Sequence, residues 1–196
     1  MMLRRGRVMI GLDEADEEEA VEGGHKVQGE GKDEYDCTYH SVEAFVDRLG
    51  TIGEAHGAAI QAFDARYVAG RGHLESAVEH ANRAVERGEN VADDRAVEIL
   101  LYAAGRRQID RAMEMGVGKG SSRVVIVVDG GDEVEAAAAV EGAICPEADA
   151  AADLPEATDA ARIRDFFDIT DAELEATTAD LEALVQERVA LLDVEK

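Results

Sequence analysis

An α+β fold, a small mixed β-sheet covered by helices, is what this sequence predicts, and three observations predict it. Arg123-Val124-Val125-Ile126-Val127-Val128 is an unbroken β-branched run, the pattern of a strand buried on both faces. Around it, segments with apolar residues at helical spacing alternate with short strand-like pieces. Gly88, Gly105 and Gly116 follow the last periodic residues of three such segments, and at Gly105 a left-handed backbone ends a helix without a Cβ clash. Such alternation packs helices on a sheet.

In chain order, residues 3–12 have strand-forming character, an acidic run follows at 13–22, and 23–32 are Gly-rich, with a short strand expected near 25–30. Residues 1–36 are assigned to an acidic, Gly-rich extension, expected to be mobile, and 37–196 to a single domain. Helical spacing begins after Ser41 with Val42, Phe45, Val46 and Leu49, and Gly50, Gly53 and Gly57 are expected to break it up. Residues 58–63 read as a strand, continued or followed by another at 66–69 after a bend at Asp64. A helix over 73–87 turns Leu74, Ala77, Val78, Ala81, Ala84 and Val85 inward. The next helix, 94–104, is capped by Asp93 or Asp94 and closed by Gly105. A further one over 106–115 has Ile109, Ala112 and Met113 on its inner face. After the β-branched strand come an Ala-rich helix at 133–142, a loop at 145–155 and a short helix at 160–167. Thr170-Asp171-Ala172-Glu173 fits a capping box. The helix it starts is expected to reach Asp193, with Leu174, Leu181, Leu184, Val185, Val189 and Leu192 along one stripe. At that length it spans about 33 Å, beyond the reach of strands of about 17–20 Å, so its far end is expected to overhang the sheet.

Acidic residues number 44 against 20 basic, a formal net charge of −24. An acidic disordered chain is one reading of that balance; a folded protein adapted to high salt is the other. The regular apolar periodicity favours the second, a halophilic cytoplasmic protein. No apolar run reaches the roughly 18 residues of a membrane span, and the piece after Arg4, Arg5 and Arg7 is too short for a signal peptide. Cys37 and Cys145 form no CxxC pair, so neither a zinc site nor a disulfide framework is expected.

Against this background one stretch is basic. From Arg95 to Arg123 six basic residues (Arg95, Arg106, Arg107, Arg111, Lys119 and Arg123) outnumber Glu98, Asp110 and Glu114. Gly116-Val117-Gly118-Lys119-Gly120-Ser121-Ser122 invites a phosphate-loop reading. The pattern fails: Met113 stands where the first Gly belongs, Gly120 where the Ser or Thr belongs, and a strand rather than a helix follows. A basic turn is the simpler reading. Arg107 or Arg111 could equally pair with surface carboxylates. His73 and His80 are seven apart, not the four of a helical metal pair, and the five histidines form no ligand set. No Ser, Cys or Thr has the setting of a nucleophile elbow. No catalytic residues, metal or cofactor are expected.

The segments EILLYAAGRRQIDRAMEMGV, followed by the strand, and DARYVAGRGHLESAVEHA resemble the KEOPS accessory subunit that docks on that complex's small kinase, the PRPK-binding protein (TPRKB) family. The resemblance is close over 58–128, looser over 40–57 and 159–194, and absent before Cys37. It implies a non-catalytic subunit that supports N6-threonylcarbamoyladenosine formation on tRNA by binding the kinase and the tRNA acceptor end, with other KEOPS subunits contacted indirectly. On this reading Arg106, Arg107, Arg111, Lys119 and Arg123 contact tRNA, and His73 is a capping or packing residue. Leu181, Leu184, Val185, Val189 and Leu192 form the surface for the kinase's small lobe. Two other readings stay open: an interaction module without RNA binding, and an enzyme binding a nucleotide at residues 115–123.

Overall fold

The chain opens on a strand, β1 (Met2–Ile10), in the computed structural model, which describes residues 1–11, 37–146 and 159–194. There follow β2 (Thr38–Tyr39), α1 (Val42–His56), β3 (Ala59–Asp64), a 3₁₀ turn at Ala65–Tyr67, α2 (Arg71–Arg87) and α3 (Arg95–Ala104). Next come α4 (Ile109–Ala112), a second 3₁₀ turn at Met113–Met115, β4 (Gly120–Asp129), α5 (Glu133–Glu141) and β5 (Cys145–Pro146). The helices α6 (Ala160–Phe166), α7 (Asp171–Ala176) and α8 (Leu181–Leu191) complete the described residues. The acidic and Gly-rich stretches at 13–22 and 23–32, the strand expected near 25–30, and most of the loop at 145–155 lie outside them.

The architecture is the expected α+β. The sheet order is β2-β1-β4-β3, with β5 also paired to β1. β4 runs antiparallel to both neighbours, with Gly120 opposite Ile10 and Asp129 opposite Ala59. β2 lies parallel to β1, which makes the sheet mixed. Successive β4 side chains serve opposite faces. Val124, Ile126 and Val128 pack with Phe45, Leu49 and Ile52 of α1 and Ala136, Ala137 and Val140 of α5. Val125 and Val127 pack with α2, α3 and α8. All five are fully buried, and each such burial stabilises by roughly 1.5–3 kcal/mol.

The first correction concerns the expected extension. Met2–Ile10 pairs with β4 along its whole length. Val8 and Ile10 are fully buried in the core under α1 and α5. Gly6 is required where β5 crosses, because a Cβ there would lie 2.6 Å from the Cys145 carbonyl oxygen. Strand character is expected at 3–12, but Arg4, Arg5 and Arg7 hide that this strand is an inner one. Long aliphatic stems let a strand carry guanidinium heads out to polar partners, as Arg4 does to Glu141 at 2.6 Å.

The second correction is at the C-terminus, where the expected single helix is two. Thr170 and Glu173 form the capping box, and Thr170 N–H, with Arg188 next, holds the Glu173 carboxyl down at about 2. That helix stops at Ala176. Thr177 is extended, its hydroxyl accepts from Ala179 N–H at 3.0 Å, and Asp180 caps α8 by accepting from Ala183 N–H at 2.9 Å. Thr and Asp side chains that bond nearby backbone compete with helix continuation. With 11 residues, α8 is about 17 Å long and overhangs nothing. Similarly, the expected helix over 106–115 shortens to α4 and a 3₁₀ turn: Ala112 and Met115 are buried, while Ile109 and Met113 are exposed. Val46 and Val85 also face outward.

The third correction is a disulfide between Cys37 and Cys145, 108 residues apart in sequence, with Cα atoms 5.5 Å apart. No local spacing announces it. β1 brings the two together by pairing with β5 through Arg7–Cys145 and with β2 through Met9–Thr38.

α2 starts without a side-chain cap of its own at Gly70. Glu182 of α8 supplies one, its Oε1 accepting from His73 N–H at 3.1 Å. A Cβ on Gly70 would collide with that carboxylate, and one on Gly72 would come 2.5 Å from Gln186, so a side chain at either position requires Glu182 or Gln186 to swing away. The His73 ring is fully buried. Its Nε2 donates to Ala103 O at 2.8 Å, its Nδ1 accepts from Ala69 N–H at 3.2 Å, and it meets Phe167 edge to face. It is a packing residue. Burial lowers its pKa to about 4, so the folded chain holds it neutral while the unfolded chain protonates near 6.5. The stability it contributes is present above pH 6.5 and is lost as pH falls toward 4. Between pH 7 and 5 the loss is about 2 kcal/mol. Urea unfolding at both pH values should show that extra loss in the native sequence and not in His73→Gln; equal pH slopes would contradict it.

Candidate functional site

The basic stretch delivers two of its residues to one groove. Gly105, at φ 58, ends α3 with a left-handed turn, and the chain emerges from it at Arg106. The guanidinium of Arg106 donates to Phe166 O at 2.6 Å and to Asp168 Oδ2 at 2.9 Å, 5.6 Å from the Phe166 ring centroid. Arg111, on α4, reaches Glu114 at 3.3 Å. From the other side α6 presents Arg162, whose guanidinium lies 5.4 Å from the Tyr67 ring centroid and donates to its hydroxyl at 3.3 Å. Tyr67 and Phe166 meet edge to face at 5.2 Å.

These residues line a groove of about 530 Å³. Its carboxylates are Glu114, Asp159, Asp165 and Asp168. Asp159 caps α6, and the backbone N–H of Arg162 holds its carboxyl below the usual range. Asp168, at φ 54, is the non-glycine residue with positive φ among those described; Asp tolerates this region better than most residues. Chemically, the groove offers guanidinium groups, each already paired with a carboxylate (Arg106 with Asp168, Arg111 with Glu114, Arg162 with Asp159), which a phosphate would have to displace, and aromatic rings suited to a base or another planar group. The interleaved carboxylates restrict how much anionic ligand it can take.

The other basic residues go elsewhere. Arg107 is half-buried, and its charge opposes the upward shift that burial and Asp193 impose on the Tyr102 hydroxyl. Lys119 is exposed, with its charge acting on Glu43. Arg123 is exposed on β4 opposite Arg7. Arg95 bonds Asp129 and Asn82 beyond the other end of β4. The segment 115–123 is a turn running into β4, without a helix start behind it. Sequence reasoning missed Arg162, Tyr67 and Phe166. Arg162 and Phe166 carry a local signal, alternate Arg residues running into two Phe in ARIRDFF, but nothing ties them to Tyr67, 95 residues earlier.

The five residues expected to meet a partner lie inward. Leu184, Val185, Val189 and Leu192 are buried in the chain's own core, and Leu181 packs against it half-covered. The large hydrophobic residues that α8 and the turn after it leave exposed are Leu191 and Val194.

Fold and groove together describe an α+β domain, its sheet covered on both faces, with an open groove lined by three arginines, four carboxylates and two aromatic rings. No helix among the described residues is long and apolar enough to cross a membrane. The chain belongs to the kinase binding protein CGI-121 family, whose model matches residues 48–193. No curated protein matches it. The family match begins within α1, leaving β1 and β2 outside it.

Proposed function

We propose that this chain is a non-catalytic, kinase-binding and tRNA-binding subunit of the KEOPS complex, supporting N6-threonylcarbamoyladenosine formation on tRNA. Membership of a kinase binding family supports the first half. The observation that carries the second is the convergence of Arg106, Arg111 and Arg162 on Tyr67 and Phe166. A net charge of −24 repels RNA at long range, so recognition is local. Guanidinium groups engage phosphates and an aromatic ring receives an unstacked base, as single-stranded RNA ends allow. The tRNA site is therefore centred on Arg106, Arg111 and Arg162. The kinase's small lobe docks on the outer side of the C-terminal helix, at Leu191 and Val194.

The test is tRNA binding by the full chain at several salt concentrations. Arg111→Glu combined with Arg162→Glu should weaken affinity about tenfold or more and flatten the salt dependence by roughly 0.7–0.9 per lost phosphate contact. Arg111 is exposed, whereas Arg162 is half-buried against Tyr67 and paired with Asp159, so a thermal scan of the double variant checks that it is folded before its affinity is read. Arg123→Glu serves as the control. Unchanged affinity in the double variant would remove the groove as the RNA site. No tRNA binding by the native sequence would leave an interaction module.

A further inference from the structure

The outer edge of β1 is covered not by one strand but by two fragments laid end to end. β2 covers Met9 and Ile10; β5 covers Gly6 and Arg7. Each is two residues long. The backbone bonds at the β2 end are Met9 N–H to Cys37 O at 3.0 Å and Gly11 N–H to Tyr39 O at 2.8 Å. Tyr39 adds a side-chain tie, its hydroxyl donating to Ala143 O at 3.0 Å. Pairings this short do not hold a sheet edge by themselves. The Cys37–Cys145 bridge joins the two fragments, so that each anchors the other. Cys37 is buried, whereas the residue Cys145 is partly exposed, so a reductant approaches the bridge from the Cys145 side.

We propose that the Cys37–Cys145 disulfide is a redox-responsive clip that holds β2 and β5 over the edge of β1, and that its reduction by a dithiol opens that edge. In the exchange a thiolate of the reductant attacks Cys145 Sγ, and the S–S electron pair leaves on Cys37 Sγ. The reductant's second thiolate then attacks the mixed disulfide and displaces the Cys145 thiolate. The dithiol ends as a disulfide, and its two protons end on the two cysteines. An uncovered strand edge presents unpaired N–H and C=O groups, so opening is readable at the backbone. It leaves the β1–β4 ladder, and with it both cores, in place.

The full chain is compared oxidised, reduced with dithiothreitol, and as Cys37→Ser with Cys145→Ser. Alkylation counts the thiols and hydrogen exchange reads the amides. The oxidised chain should carry no reactive thiol. Reduction should speed exchange at Met9 and Gly11 by at least about tenfold while amides of β4 keep their protection. The double variant should match the reduced chain, and reoxidation should restore the slow exchange. Two reactive thiols after oxidant treatment, or unchanged exchange at Met9 and Gly11 on reduction, would overturn the proposal. Should the double variant fail to fold, reduction and reoxidation of the native sequence still decide it.

Discussion

A chain that starts at Gly31 will show no cooperative thermal transition. It loses β1, the partner of β4 from Val128 to Gly120. It also loses the fully buried Val8 and Ile10. Each costs roughly 1.5–3 kcal/mol in transfer free energy alone. The ladder goes with them, and one side of β4, with the apolar surface beneath it, is opened to water. Set against a total stability of about 5–15 kcal/mol, this removes the native state. Circular dichroism and a thermal scan of the shortened chain provide the check. A midpoint within a few degrees of the full chain's would mean that β1 is dispensable, which is what the composition of residues 1–36 suggests when read alone.

Val189→Asp will unfold the chain, whereas Leu191→Asp with Val194→Asp will leave it folded. Val189 is fully buried among residues of α2, α3 and α8. An unpaired carboxylate there must be either desolvated or protonated. The expected loss exceeds about 4 kcal/mol, the range reserved for buried unpaired charges and large cavities. Leu191 and Val194 are 40% and 76% exposed, so charges placed there remain hydrated. Urea midpoints separate the two outcomes. Co-purification with the kinase subunit then tests the docking proposal, since only the folded double variant can report on the surface. A folded Val189→Asp chain would return that residue to the list of candidates for partner contact. Normal kinase capture by Leu191→Asp with Val194→Asp would move the docking surface off this end of the molecule.

The residues expected to meet a kinase show why apolar spacing is an incomplete guide. Leu181, Leu184, Val185, Val189 and Leu192 share one side of a helix whether that side meets the chain's own core or a partner. Spacing identifies the apolar side; it does not identify the neighbour. The length argument failed because Thr177 and Asp180 turn one helix into two. The basic residues expected to contact RNA divide for a related reason. Arg106 and Arg111 reach the groove because Gly105 and the short α4 aim them there, while Arg107, adjacent in sequence, points elsewhere on the same turn. The six basic residues are one cluster in sequence and several in space.

Features written within a few residues were legible in the sequence. The Asp94 cap, the left-handed Gly105, the capping box at Thr170 and Glu173, and the doubly buried run Val124–Val128 all appear as the sequence predicts. Each depends on bonds or burial patterns spanning about four residues, or on a strand period of two. The sequence by itself therefore determined the central strand, most helix boundaries and the α+β class. Tertiary structure alone decided that β1 joins the sheet, that Cys37 meets Cys145, that Glu182 caps α2, and that Arg162 stands over Tyr67. In each case the partners lie far apart along the chain, and the energy that joins them comes from pairing or packing at a distance. No local propensity records that energy.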